Sequence, residues 1–456
     1  EAGGKFRLVF QPTDRLNIDY TADYQYVNQD GFPYGLLDLN SGKTASPSAN
    51  RQSTYRRNML NTGLTIGYQA KNFDFNSVSS YQYLRDNMLM DQDFLPQDLL
   101  HLRQKQLQNA LTQEFDFKGN HAVGGFWHWT VGTFFSSEWS RTDGPVYFDK
   151  GMTAPMAAAI QQQMYSGIVS AMAGKMMQQG MPQVAAMAAA KQAVAAAGGV
   201  SLNIDMGAPG VYHTPQYNFA LFHESNFDIT DRLTGTIGLR YDFTHTNIHY
   251  ETSAYMSMAA DVMGMKATNV LSTVLNGRTH DNYNQLLPKF GLSYRIDNQG
   301  SNVYATVSKG YRAGGYNFQM FSDILSSELN ANADKAMRGS YAVPHTDEDY
   351  KKIAKTISYR PETSWNYEVG THENLFNHSV QFDFSAFFMQ IRHQQLSVMA
   401  SNYGYGRMMV NAGQSYSCGV EASLRGQSFN NHLDWALTYG FTHAAFKDYK
   451  DSVKVN

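Results

Sequence analysis

The stretch Arg232-Leu233-Thr234-Gly235-Thr236-Ile237-Gly238-Leu239-Arg240-Tyr241-Asp242-Phe243-Thr244 decides the fold. Leu233, Gly235, Ile237, Leu239, Tyr241 and Phe243 fall on one face, opposed by Thr234, Thr236, Arg240, Asp242 and Thr244. A period of two with one apolar and one hydrophilic face is a strand between two unlike surroundings. The same alternation runs from Arg15 to Tyr26, with Leu16, Ile18, Tyr20, Ala22, Tyr24 and Tyr26 together. It returns in Val380, Phe382, Phe384, Ala386 and Phe388, and in Leu433, Trp435, Leu437, Tyr439 and Phe441. A strand of about 12 residues rising roughly 3.3 Å per residue is about 40 Å long, and at a tilt near 45° it covers about 28 Å of bilayer normal. Cytosolic strands are usually about half that length.

Composition permits this reading. The chain has 456 residues, 43% hydrophobic and 16% charged, with 36 Lys+Arg against 39 Asp+Glu and a net charge of -3, which excludes disorder and a basic nucleic-acid-coating surface. A mean hydropathy of -0.43, with no apolar run long enough for a spanning helix, excludes a helical membrane protein. It leaves a membrane barrel open, because alternating lipid-facing and lumen-facing residues cancel in any average. The 29 Tyr, 27 Phe and 5 Trp favour strands and suit an interface where one end of a ring is dry and the other wet. Cys418 is the one cysteine, so no internal disulfide forms and no Cys/His zinc spacing exists. The opening Glu1-Ala2-Gly3-Gly4-Lys5 lacks the pattern of a signal peptide, which implies either a cytosolic chain or a shortened mature one.

The connections alternate in length. Short polar turns are expected at Pro12-Thr13-Asp14, Ala70-Lys71-Asn72, Thr230-Asp231, Asp297-Asn298-Gln299-Gly300, Asn377-His378 and Asn430-Asn431. Long loops are expected near 27–57, 87–106, 140–216, 247–283, 313–363 and 394–414. This predicts about seven up-down hairpins, hence about fourteen antiparallel strands of an all-β transmembrane barrel, with the short turns on one side. A soluble sandwich would have shorter strands and no such alternation.

Residues 152–199 break the pattern. Val184-Ala185-Ala186-Met187-Ala188-Ala189-Ala190-Lys191-Gln192-Ala193 is built of good helix formers, and Gly180-Met181-Pro182 divides the segment in two. It is too polar to span lipid and is expected to be an amphipathic helical insert in an extracellular loop. Met172, Met176, Met177 and Met181 offer an alternative, a thioether site for Cu(I). Gap-filling packing is the plainer role for methionine.

No enzyme motif is present. There is no Gly-x-Ser-x-Gly elbow and no phosphate-binding loop, and His223-Glu224 lacks the second histidine of a metalloprotease helix. His245 and His249 would share a strand face about 13 Å apart, too far to chelate one ion. Arg240 and Asp242 are expected to line a hydrated lumen as a charge pair.

Val303-Tyr304-Ala305-Thr306-Val307-Ser308-Lys309-Gly310-Tyr311-Arg312-Ala313-Gly314-Gly315-Tyr316-Asn317 resembles a barrel strand of the TonB-dependent outer-membrane receptors. Leu286-Leu287-Pro288-Lys289-Phe290-Gly291-Leu292-Ser293-Tyr294 resembles the preceding family strand. Arg360-Pro361-Glu362-Thr363-Ser364-Trp365-Asn366-Tyr367-Glu368-Val369-Gly370 resembles the strand after a long loop, and Gly419-Val420-Glu421 a later strand start. The likeness spans nearly all of the chain and is weakest in the helical insert. It implies a 22-stranded barrel around an N-terminal plug, in outer-membrane lipid, importing an extracellular iron complex such as a ferric siderophore with energy from TonB acting on a TonB box. Neither plug nor box is recognisable here, about fourteen of the 22 strands are present, and the end at Asp448-Tyr449-Lys450 lacks the terminal aromatic strand. The resemblance therefore implies a partial receptor barrel over 1–456. No cofactor is implied. Candidate ligand contacts at the extracellular mouth are Arg312, Tyr316, Asn317, Tyr403 and Arg407. Cobalamin, haem or glycan uptake would use the same architecture, and a passive porin or adhesin would need no plug.

Overall fold

A computed structural model describes residues 1–448 other than 36, 39, 92, 337, 377, 400–406 and 429–431. Fourteen long strands form its wall: β1 Ala2–Thr13, β2 Leu16–Asp30, β3 Thr54–Gln69, β4 Phe73–Asp91, β5 Leu100–Gly119, β6 Trp127–Asp143, β7 Gln216–Asp228, β8 Leu233–Val262, β9 Met265–Arg295, β10 Asn302–Arg312, β11 Glu362–Leu375, β12 Val380–Arg392, β13 Gln414–Ser428 and β14 Leu433–Asp448. Each pairs antiparallel with the next in sequence. Among the described residues no pairing joins β1 to β14.

Register carries the two faces around the wall, with shifts only between Phe10 and Thr13 on β1 and between Gln414 and Ser415 on β13. Asp242 pairs with Ala220 and Gln285, and Leu221 pairs with Tyr241 and Thr133, so one set of alternate residues points inward on every strand and the other outward. The outward set is mainly apolar and exposed, as on β7 to β9, where Leu221, Ile237, Leu239, Phe290 and Leu292 are each about half accessible. Such residues are stable facing lipid and not water. At the upper edge of this band, ring hydroxyls find polar partners on the next strand. Tyr24 donates to Asn58 Oδ1 at 2.8 Å, Tyr81 to Asn109 Oδ1 at 2.7 Å and Tyr241 to Asn284 Oδ1 at 2.5 Å. Dry rings with wet hydroxyls mark the membrane–water boundary.

The expected turns at 377–378 and 430–431 include positions outside the described residues. The expected loop at 247–283 is corrected by the structure. It is a continuous hairpin, since β8 and β9 run 30 and 31 residues and stay paired to Val262↔Met265. Met263 and Gly264 both have positive φ, 56° and 83°, as a two-residue hairpin turn requires, and the Gly264 N–H donates to Asp261 Oδ1. Above the membrane the alternation inverts. His245, Asn247 and His249 now point outward, while Ile248, Tyr250, Ala254, Met256 and Met258 point inward and are buried.

What buries them is the segment between β10 and β11. Helix α3 (Met320–Ala331, numbered after α1 and α2 below) places Phe321, Leu325 and Leu329 against Tyr250, Leu271 and Leu275. Helix α4 (Asp347–Ile357) adds Ile353 and Ile357, and begins at a Thr346/Asp349 capping box. Its carboxylate accepts from the Thr346 backbone and hydroxyl, which holds the Asp349 pKa below the usual range. Glu328 accepts from Thr273 and lies 3.0 Å from His345 Nε2, fixing α3 to β9.

The insert at 152–199 is helical, as α1 (Lys150–Gln178) and α2 (Gln183–Ala196), with Gly180 at φ 94° between them. Val169 and Ala173 meet Ala186, Ala190 and Val194 in a buried seam. Small side chains there let the two helices approach closely. Neither helix is long and apolar enough to cross a membrane. Met172 and Met176 pack on this seam, the gap-filling role, whereas Met177 and Met181 are exposed.

Candidate functional site

The lumenal face is polar along its depth. On β10 to β13, the Tyr304 hydroxyl donates to Glu368 Oε1 at 2.8 Å, and Asp383 is held by Arg425 at 2.5 Å and by His372 at 2.8 Å. Higher on the wall, Arg240 Nε donates to Asp242 Oδ2 at 2.6 Å and Nη2 to Oδ1 at 3.2 Å. The guanidinium also sits 5.6 Å from the centres of the Phe134 and Phe222 rings. Arg240 and Asp242 thus form a bidentate pair on the inward set of β8, with the Asp242 side chain only 8% exposed. Replacing Arg240 by Leu leaves that carboxylate without its cation. The expected loss is about 3–5 kcal/mol of stability in the assembled receptor, mostly recovered in the double variant Arg240→Leu/Asp242→Leu. Urea unfolding in detergent measures both.

At the long-loop end the wall changes course. β9 and β10 are paired only as far as Lys289↔Ser308, whereas β10 stays on β11 to Arg312↔Glu362. Above that level β10 leaves its neighbour and feeds the following segment inward. Gly314 and Gly315 pass against the inner wall, where a Cβ on Gly314 would lie 2.4 Å from Tyr359 O and 2.7 Å from the Tyr283 hydroxyl. Only glycine permits that approach. Tyr316 then donates to Asp281 Oδ2 at 2.8 Å. Burial, followed by this bond to a carboxylate, raises the Tyr316 pKa, so the phenol is a neutral donor.

Of the residues expected from sequence, Tyr316 meets Asp281 in this polar cluster, and Arg312 is exposed at the end of β10, opposite Glu362 on β11. Asn317 is corrected to a clamp between loops. It is buried, its Nδ2 donates to Met409 O at 2.7 Å and its Oδ1 accepts from Met409 N at 2.7 Å, so its amide is already occupied. Gln395 and Asn411 stitch the same junction, donating to the carbonyls of Ala313 and Arg360. Tyr403 lies outside the described residues. Arg407 begins the short strand Arg407–Asn411 opposite Met399, and its side chain lies outside the described residues. Asp281, Tyr283 and Tyr359 were not expected. The signal for the first two was available, because Asp281, Tyr283 and Gln285 alternate in phase with the inward residues of β9.

A single meandering wall, oily outside and polar inside, with short turns at one end and folded loops at the other, is a transmembrane β-barrel of the outer membrane. The family model described as TonB dependent receptor-like, beta-barrel, matches residues 6–456, and the chain belongs to that family. Its members are receptors for transport and not enzymes. The chain is similar to the rhizobactin receptor of Rhizobium meliloti (strain 1021), with 26% identity over 235 residues, 49% of this chain and 29% of that protein. Its fold is similar to that of the ferric yersiniabactin uptake receptor FyuA from Yersinia pestis, with TM-score 0.59 and 16% identity over 98% of this chain and 52% of that one. It is also similar to that of the siderophore receptor PiuA from Acinetobacter baumannii, with TM-score 0.57 and 10% identity over 99% of this chain and 57% of that one. The chain thus spans about half the length of these solved receptors, and less of the rhizobactin receptor.

Proposed function

We propose that this wall belongs to an active importer of a ferric siderophore or similar iron complex, energised by TonB through a plug and TonB box that lie elsewhere in a longer receptor. In this reading the fourteen strands close with further strands to about 22, and 152–199 is a helical extracellular insert in the barrel domain. The observation that carries the proposal is the polar inward face beneath a mouth lined by phenols and a carboxylate, in a family whose named relatives include receptors for siderophores. Such ligands exceed what a simple pore passes, so they need a binding mouth and a filled barrel. Tyr316, oriented by Asp281, and Arg312 are the ligand contacts this places at the entrance.

Growth on defined iron sources, with and without the whole gene, tests the reading. Deletion should abolish use of one ferric siderophore. If growth on every iron source survives while a cobalamin, haem or glycan source is lost, the substrate class is wrong. Within the receptor, Asp281→Asn should reduce radio-iron uptake on the order of tenfold, by loosening the phenol, with the folded band on gels unchanged.

A further inference from the structure

Above the membrane, the outward face of the β8–β9 hairpin gathers histidines. His245 and His249 stand too far apart along β8 to share an ion. Each meets an imidazole from a neighbouring strand instead. His245 pairs in register with Asn282, and His280 of β9 lies diagonally across from it, opposite Asn247, with the two ring centres 5.5 Å apart. His249 faces His213 of the short strand Gly210–His213, with centres 5.9 Å apart. Two imidazoles that bind one ion through a nitrogen each, at about 2.0–2.1 Å, have ring centres no more than roughly 6.4 Å apart, and roughly 5.2 Å apart at the tetrahedral angle. The His245–His280 pair lies close to the second value.

Asn282 prepares this pair. Its Oδ1 is 2.7 Å from His245 Nδ1 and accepts from it, so that nitrogen holds the proton and Nε2 keeps its lone pair. Metal-binding imidazoles are oriented by a second partner in this way. Tyr217 of β7 stacks on His245 from the β7 side, with centres 6.3 Å apart. His280 is exposed, and its ring is free to turn about χ2 toward the His245 lone pair. The register partners of the two histidines, Tyr217, Asn282 and Asn247, are all neutral. The His213–His249 pair differs. Glu251 lies 3.7 Å from His249, but Arg141 stands opposite His213 and Arg278 opposite His249. A row already holding two guanidinium groups is the poorer place for a further cation.

We propose that His245 and His280, with Asn282 behind His245, chelate one divalent transition-metal ion such as Zn²⁺ or Cu²⁺ on the outside of the barrel. Imidazole suits these ions. Among the described residues no group of three His, Cys, Asp or Glu could hold a metal, so water completes the shell and the ion exchanges with solvent. Bound metal staples β8 to β9 above the membrane. The inference is independent of what the receptor imports, because the pair faces away from the lumen.

The test uses the intact receptor without a polyhistidine tag, in neutral detergent, titrated with ZnCl₂ by calorimetry. The wild type should show one saturable equivalent at neutral pH, weakening as the pH falls through the histidine range, because both imidazoles must be neutral to bind. His245→Gln and His280→Gln should each weaken binding at least on the order of tenfold, and Asn282→Ala on the order of tenfold. His213→Gln should leave it unchanged. Pulsed electron paramagnetic resonance of the Cu²⁺-loaded receptor should detect two imidazoles in the wild type and one in either ligand variant. A heat-modifiable band reports folding, and if one ligand variant lacks it the other decides, together with Asn282→Ala. Absence of saturable Zn²⁺ binding, or unchanged binding in the folded ligand variants, would overturn the proposal. Loss in His213→Gln alone would also overturn it, by moving the ion to the neighbouring pair.

Discussion

Expressed alone, residues 1–456 will not give a detergent-stable, heat-modifiable band. The outer edges of β1 and β14 have no partner among the described residues. β1 spans 12 residues, of which about half present N–H and C=O groups to that edge. In hydrocarbon each unpaired group costs several kcal/mol, so even the β1 edge amounts to tens of kcal/mol against insertion. Water satisfies the same groups, but then Phe6, Leu8 and Phe10, each more than half exposed, are left to aggregate. Electrophoresis with and without boiling is the measurement. A band that shifts on boiling would mean that the fourteen strands close on themselves, and the edge argument would fail.

Replacing Ile237 by Arg will destabilise the assembled receptor by about 2–4 kcal/mol, whereas Gln285→Arg will cost under about 1 kcal/mol. Ile237 is 52% exposed near the middle of the outward apolar band, opposite Ser225 and Phe290, so the new charge would face acyl chains. Gln285 pairs with Asp242 on the lumenal side and accepts from Lys309 Nζ at 3.2 Å, and the longer guanidinium there can turn away from Lys309 into water. Urea unfolding in phospholipid vesicles gives both values. Equal costs at the two positions would mean that the faces do not see different solvents.

Most of the wall was legible in the sequence, and for one reason. Where lipid lies outside and water inside, each strand must alternate, and Leu233 to Thr244 does so for its whole membrane-crossing length. The expected count of about fourteen strands matches the wall. Reading stopped where the surroundings changed. Above Thr244 the outside of the β8–β9 hairpin meets water and its inside meets α3 and α4, so the apolar set moves from odd to even positions. A pattern sought in one phase therefore reports a loop where the strand continues. The same error hid Asp281 and Tyr283. Asn317 misled for a different reason, since an amide suited to a ligand is equally suited to two backbone groups of Met409, and only the approach of a distant loop decides between them.

The sequence by itself determined which residues face lipid and which face the lumen, because that choice is made residue by residue by the solvent beside each strand. It also placed the break between α1 and α2, through the local chemistry of Gly180 and Pro182. Only the tertiary structure decided the height of the β8–β9 hairpin, the inward turn of the chain at Gly314, and the meeting of Tyr316 with Asp281. Those depend on segments far apart in the chain burying one another's apolar surface, and no local period records which partner will arrive.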